Sequence, residues 1–336
     1  MSGLFDQFRD ARHPPQDPTH LSFKGKTVLV TGANDGLGLQ SAIKFAQLGA
    51  DRLVLGVRTQ EKGEAAKAAI LSQTKNAPEF VVVTADLSTF ASVRAFAAEV
   101  NDKIDKLHIV LLCAGIMVPT FQASPEGYEI NLQVNVLSTA LMALLLVPKV
   151  RSTAALRDGD FTPHITILNS LATQETEDAS VPTDQTLLDR IGDASKFEHI
   201  SQYYLVKLAA RYFIRGLAEQ IVSKDIIIVN CCCPGMCRTG LLRHYSLPIR
   251  IMLAPYRWIC GRTGEQGART LVSATALGPE SHGTLWLNDE LPPPAKFLAT
   301  ERSEEVYRET FRDILSILKE KGGLTEDFLA SLRGGV

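Results

Sequence analysis

Lys26-Thr27-Val28-Leu29-Val30-Thr31-Gly32-Ala33-Asn34-Asp35-Gly36-Leu37-Gly38 begins as a β-branched apolar run and passes directly into three glycines. The run reads as a strand buried on both faces, as in a parallel sheet. Residues 40–48 carry a helical pattern of apolar positions. Strand, glycine turn and helix in this order form the dinucleotide-binding opening of a doubly wound α/β sheet. Glycines let the backbone approach a pyrophosphate, and the free N–H groups of the helix N-terminus meet its negative charge.

The pattern then alternates. Further strands are predicted over residues 52–57, 80–84, 108–112, 164–168, 226–233 and 283–287, with helical patterns between them, and an amphipathic helix over 304–320 closes the chain. Alternation of this kind specifies a parallel sheet flanked by helices. No repeat or linker splits the chain. The expected organisation is a loosely held N-terminal arm (1–22), one nucleotide-binding domain (23–290) containing a substrate lid (240–262), and a C-terminal helical extension (291–336).

The 336 residues are 45% hydrophobic and 21% charged, enough to bury a sizeable core. A net charge of −2 offers no basic field for nucleic acid. Six cysteines, three of them consecutive at Cys231-Cys232-Cys233, have no metal-ligand spacing and read as free thiols of a reducing compartment, with cytoplasmic residence expected. Neighbouring strand side chains point to opposite faces, so the triplet is poorly placed to share a metal. The N-terminus is polar, with no signal peptide. The apolar run around residues 141–147 is expected to be too short to span a bilayer.

Tyr203 and Lys207 are four positions apart in a predicted helix, so phenol and ammonium share one face. A phenol normally titrates near 10, and a neighbouring cation is expected to lower that value toward the range useful for acid–base chemistry. The pair alone is common on solvated helices. Its place between a glycine turn upstream and Pro234-Gly235 downstream, each at a strand end, gives it meaning.

Taken together, Thr31-Gly32-x-x-x-Gly36-x-Gly38, Asp86-Leu87, Ala114-Gly115, Asn135, Ser170, Tyr203-x-x-x-Lys207 and Pro234-Gly235-x-x-x-Thr239 resemble the short-chain dehydrogenase/reductase family. These motifs cover residues 26–239, nearly two thirds of the chain. The similarity is greatest to the retinol-dehydrogenase-like branch and to reductases of fungal secondary metabolism, where a phrase like Arg58-Thr59-Gln60-Glu61-Lys62-Gly63 is typical. Two departures stand out: Leu112-Cys113 where the family carries two asparagines, and Asn169 where it carries a serine.

The resemblance implies a Rossmann-like fold and carbonyl–alcohol interconversion with a nicotinamide cofactor. Tyr203 is then the proton donor or acceptor, Lys207 its activator and a ribose ligand, and Ser170 the group that binds the reacting oxygen. Asn135 is expected to hold a water that links Lys207 to solvent. The implied cofactor site is Gly32, Asn34, Asp35, Gly36, Leu37, Gly38, Arg58, Asp86, Leu87, Cys113, Ala114, Gly115, Asn135, Tyr203, Lys207, Pro234, Gly235, Met236 and Thr239. Asp86 is assigned to adenine, with capping of a helix starting near Ser88 as its structural alternative.

The end of the second strand is where an adenosine ribose sits, and Arg58 offers donors for a 2′-phosphate, favouring NADP over NAD although Asp35 is acidic. Aromatic residues in 240–262, including Tyr245, Tyr256 and Trp258, suggest a mid-sized apolar or aromatic substrate. A homodimer is within the family analogy. Two other readings remain: an NADP-binding sensor or scaffold without turnover, and a nucleotide-sugar epimerase or dehydratase.

Overall fold

The computed structural model describes residues 4–75, 77–156, 161–174, 176–221 and 226–333. The run at residues 26–30 is strand β1 (Thr27–Thr31), every residue of it buried. The other strands are β2 (Arg52–Val57), β3 (Glu79–Thr84), β4 (Ile109–Leu112), β5 (His164–Leu168), β6 (Ile228–Cys233) and β7 (Leu285–Leu287). They form one 7-stranded sheet in the order β3-β2-β1-β4-β5-β6-β7, every neighbouring pair parallel. The order reverses between β1 and β4, with Val28 registered against both Leu53 of β2 and Ile109 of β4. Ligands of such sheets lie beyond the carboxyl ends of the strands at this reversal.

The helices are α1 (Leu4–Arg12), α2 (Gly36–Gln47), α3 (Gln60–Leu71), α4 (Phe90–Lys103), α5 (Ile130–Leu132), α6 (Thr139–Ala155), α7 (Leu187–Gly192), α8 (His199–Gln220), α9 (Leu247–Cys260), α10 (Gly264–Ala274), α11 (Glu301–Glu320) and α12 (Glu326–Arg333). They cover both faces of the sheet. Strand alternation divides the core accordingly: Leu29, Val54, Val110, Ile165 and Val229 join α4, α6 and α8. Val28, Val30, Leu53, Leu55, Ile109 and Leu111 join α2, α3 and α10 on the other side. Cys231 and Cys233 fall in the first cluster and Cys232 in the second, as strand geometry requires.

Two expectations change. The helical stretch Ile130–Ala155 is, by length and composition, long and apolar enough to cross a membrane, contrary to the reading from residues 141–147. It is a core helix: 89% of its most apolar window is buried inside the fold. The N-terminal segment is anchored rather than loose. Helix α1 packs against α9, Lys44 Nζ holds Asp17 at 2.9 Å, and Arg269 Nη1 donates to Pro15 O at 3.2 Å. The acidic stretch after β5 is held from a distance by Arg302 of α11, which donates to the carbonyls of Asp178, Val181 and Pro182. Glu175 of that stretch, residues 1–3 of the arm and 334–336 of the extension lie outside the described residues.

The C-terminal helix α11 docks on α8 where a side chain is missing. A Cβ on Gly216 would lie 2.3 Å from the Phe311 ring. Gly216→Ala is therefore expected to push α11 away and lower unfolding stability by about 1–3 kcal/mol, measured by urea denaturation. An unchanged midpoint would show that α11 contributes little to α8.

Candidate active site

The cleft at the β1–β4 reversal is built from backbone first. Thr31 Oγ1, at the end of β1, accepts from Cys113 N and Ala114 N, both at 3.0 Å, and so ties together the ends of β1 and β4. Gly32 (φ +68°) then turns the chain, and a Cβ on it would stand 3.1 Å from Ala114 Cα. A Cβ on Gly38 would stand 2.3 Å from Gly32 O, so the turn closes only with glycine there. Asp35 caps α2, its Oδ1 accepting from Gly36 N at 2.7 Å. Asp35 thus has a helix-capping role that its acidic charge alone did not reveal. On the facing side, Thr239 packs where a Cβ on Gly36 would be.

At the β2 end of the cleft, Arg58 stands exposed just past the strand and lines the cleft together with Lys62, Arg243 and His244. Arg243 and Arg58 lie close enough to His244 to hold its imidazole below the usual value, after burial as the larger cause. Asp86 Oδ1 accepts from Ser88 N at 2.9 Å and Asp86 N donates to Ser92 Oγ at 2.8 Å. Asp86 shapes this turn, while the cap of α4 is Thr89, not Asp86. Leu87 O accepts from Ser138 Oγ at 2.7 Å.

Asn135 sits in a π-helical turn, Gln133–Ser138, between α5 and α6. Such turns often mark functional sites. Its side-chain amide is engaged at both ends by one residue of the loop after β4: Oδ1 accepts from Ile116 N and Nδ2 donates to Ile116 O, each at 2.9 Å. Gly115 lies beside it, a Cβ there falling 2.8 Å from Asn135 Oδ1. The side chain is therefore a clamp on the loop that follows β4, gripping it at Ile116. The same close approach leaves no room for a side chain at Gly115.

Ser170, Tyr203 and Lys207 come together past β5. Ser170 caps a short 3-10 turn, its Oγ accepting from Ala172 N at 3.2 Å, and its hydroxyl hydrogen-bonds the Tyr203 phenol. Lys207 Nζ donates to Leu168 O at 3.3 Å and lies 5.9 Å from the centre of the Tyr203 ring. Asn169, the departure beside Ser170, has a use: Nδ2 donates to Lys207 O at 3.4 Å and Oδ1 accepts from Ser170 N at 2.9 Å, joining α8 to β5.

The electrostatics correct one expectation. Burial pushes the Tyr203 phenol up to about 12, the Ser170 hydrogen bond pulling the other way without prevailing. Burial pushes Lys207 itself below its usual value. Part of the Tyr203 surface still faces the cleft, but the atoms packed around the hydroxyl are dense enough for desolvation to dominate. A helical spacing identifies a neighbour; it does not say how much water either group retains.

The far wall is the Pro234-Gly235-Met236 turn. Gly235 (φ +71°) has Arg262 Nη1 3.0 Å from its would-be Cβ, and Arg262 is almost fully buried. It donates to Pro234 O at 3.0 Å, Asp10 O at 3.0 Å and His13 O at 3.4 Å, fastening turn, lid and N-terminus in one node. Nothing next to Arg262 in the chain announces this role, because all three acceptors are backbone carbonyls distant in sequence. Arg257 Nη2 donates to Thr239 O at 2.6 Å. Leu241, Leu242, Tyr245, Leu253 and Tyr256 of the 240–262 segment also line the cleft, with a volume of about 980 Å³. Glycine turn, α2 N-terminus and Ser170–Tyr203–Lys207 group all open into it, which fits a dinucleotide laid across the reversal.

The profile of the short chain dehydrogenase family matches residues 26–156. Over 95% of this chain and 93% of its own length, short-chain dehydrogenase/reductase ffsI of Aspergillus flavipes is 37% identical. The chain belongs to the short-chain dehydrogenase/reductase family. Short-chain dehydrogenase/reductase phmF of Phaeosphaeria nodorum is 34% identical over 94% of this chain and 93% of its own. Among solved structures, L-sorbose reductase from Gluconobacter frateurii, complexed with NADPH and L-sorbose, superposes with a TM-score of 0.61 at 21% identity, covering 85% of this chain and all of that one. A 3-ketoacyl-(acyl-carrier-protein) reductase from Brucella melitensis, complexed with NADH, gives 0.56 at 22% identity over 79% and 97% of the two chains. These likenesses establish the fold, and the family makes this protein an NAD(P)-dependent oxidoreductase acting on a small molecule.

The Thr31 link makes a prediction. Thr31→Val keeps the shape but strands one buried and one half-buried N–H group, and is expected to cost about 1–3 kcal/mol of stability and to weaken nicotinamide-cofactor binding. Urea denaturation and cofactor titration by fluorescence check both; wild-type values in each would remove Thr31 as the fastening of the cleft.

Proposed function

We propose that this enzyme is an NADP(H)-dependent reductase that converts a carbonyl of a mid-sized apolar or aromatic substrate to an alcohol, as a tailoring step in secondary metabolism. The observation that carries the reading is the grouping of Ser170, Tyr203 and Lys207 in the cleft that also holds the glycine turn. The fungal relatives named above support the metabolic setting, and the free buried thiols support a reducing compartment such as the cytoplasm.

The residues divide the work. When bound, the nicotinamide supplies the hydride. Gly32, Asn34, Asp35, Gly36, Leu37 and Gly38 receive the pyrophosphate at the α2 N-terminus, with Met236 and Thr239 closing over it. Arg58, with Arg243 beside it, takes the 2′-phosphate, and Asp86 and Leu87 flank the adenine. Ser170 donates a hydrogen bond to the substrate oxygen as charge develops there. Tyr203, still protonated at neutral pH because burial holds its proton, gives that proton to the same oxygen. Lys207 supports the ribose and favours the phenolate left after transfer. The apolar side chains Leu241, Leu242 and Leu253, with Tyr245, exclude water from the reacting carbonyl.

The Tyr203 value fixes the sign of the pH dependence. A phenol raised to about 12 is in its acid form throughout the neutral range, so carbonyl reduction should be flat across neutral pH and fall only as alkaline pH approaches that value. Alcohol oxidation, which needs the conjugate base, should rise with pH over the same range. Initial rates in both directions test this; a reduction rate that falls through pH 7 would assign the proton to another group. Tyr203→Phe should lose at least about a hundredfold in turnover while retaining cofactor affinity. Reduction of ketones or aldehydes at the wild-type rate, followed by NADPH absorbance, would overturn the assignment. Arg58→Ala should raise the Kd for NADP about tenfold or more and leave NAD nearly unchanged, by fluorescence titration; equal losses would remove the 2′-phosphate reading.

A further inference from the structure

Helix α9 is inverted. Its inner residues Leu253, Tyr256, Arg257 and Cys260 line the cleft. Its outer residues are apolar and exposed: Leu247 63%, Ile251 63%, Met252 69%, Trp258 72% and Ile259 46%. At 3.6 residues per turn, the arc from Ala254 through Leu247, Trp258 and Ile251 to Met252 spans about 160° with no polar residue in it. Exposed Arg250 borders this arc, and Arg238 and Arg243 stand exposed on the segment leading into α9.

Charge says what meets this face. From residue 226 to residue 264 the chain has five arginines and no Asp or Glu. The next acid, Glu265, is occupied by Lys44 at 2.8 Å and Arg269 at 2.8 Å. Asp10 of the adjoining α1 lies 3.6 Å from Arg9. An outward apolar stripe carrying tryptophan and edged by arginine is the pattern of a helix lying in a membrane interface. A second copy is the poorer occupant. A two-fold contact would bring like arginines together.

We propose that α9 docks this enzyme on an anionic lipid bilayer, apolar face down. Arg238 and Arg250 meet the headgroups, while Trp258, Ile251, Met252 and Leu247 enter the acyl boundary. Because the inner face of the same helix lines the cleft, docking places the cleft mouth at the lipid surface, where an apolar substrate concentrates.

Sedimentation with vesicles tests this without requiring turnover or a known substrate. The full-length protein should pellet with phosphatidylcholine vesicles containing phosphatidylserine, much less with phosphatidylcholine alone, and progressively less as salt rises. Trp258 emission should shift to the blue; the other tryptophan, Trp286, is held inside by a 2.9 Å bond to Ser273 Oγ and should not respond. Arg250→Ala should weaken binding about fivefold. Ile251→Glu with Met252→Glu should abolish it while reduction of a water-soluble ketone continues, showing an intact fold. Absence of binding to anionic vesicles, or equal binding to neutral ones, would overturn the proposal. So would a wild-type dimer that the double variant converts to monomer without any vesicle binding, which would make this face a subunit contact.

Discussion

One hydroxyl holds the crevice open in the right place. Thr31 Oγ1 accepts the N–H groups that follow β4, so the two strands on either side of the sheet reversal end at one level. The glycine turn that leaves β1 can then lie against Ala114, and the helix N-terminus it feeds points into the space between them. Parallel sheets of this order always have a reversal; what makes it a site is that backbone, rather than side chains, forms its floor. Asn135 repeats the device farther along the same loop, clamping Ile116 with both ends of its amide.

The acid–base group stands on a different foundation. Ser170 and Tyr203 are brought together because Asn169 pins the Lys207 carbonyl to the end of β5. That pin replaces a serine common in the family with a longer side chain that can reach α8. Burial then sets the chemistry, pushing the phenol up to about 12 and the lysine below its usual value. A phenol so dry holds its proton until an oxygen with growing negative charge arrives.

Local grammar made much of this legible. The glycine turn, the Tyr203–Lys207 spacing and the Pro234-Gly235 turn each depend on neighbours within a few residues, and the structure gathers all three around one cleft. What stayed hidden depends on distance. Arg262 finds its acceptors at Asp10, His13 and Pro234, so nothing adjacent to it announces a buried guanidinium. The anchoring of residues 4–22 has the same cause. The direction of the Tyr203 shift stays hidden too, because spacing shows the cation but not the loss of water around the phenol. The π turn that aims Asn135 at Ile116 has no signature in composition.

The central claim is that a hydride and the Tyr203 proton reach the same carbonyl carbon–oxygen bond in this cleft. NADPH deuterated at the nicotinamide C4 position, turned over with an apolar aryl ketone, tests it most directly by mass spectrometry of the product. The account predicts an alcohol carrying one deuterium on the former carbonyl carbon, formed with a primary isotope effect. Alcohol formed without the label, or oxidation of the cofactor with the ketone left intact, would contradict it.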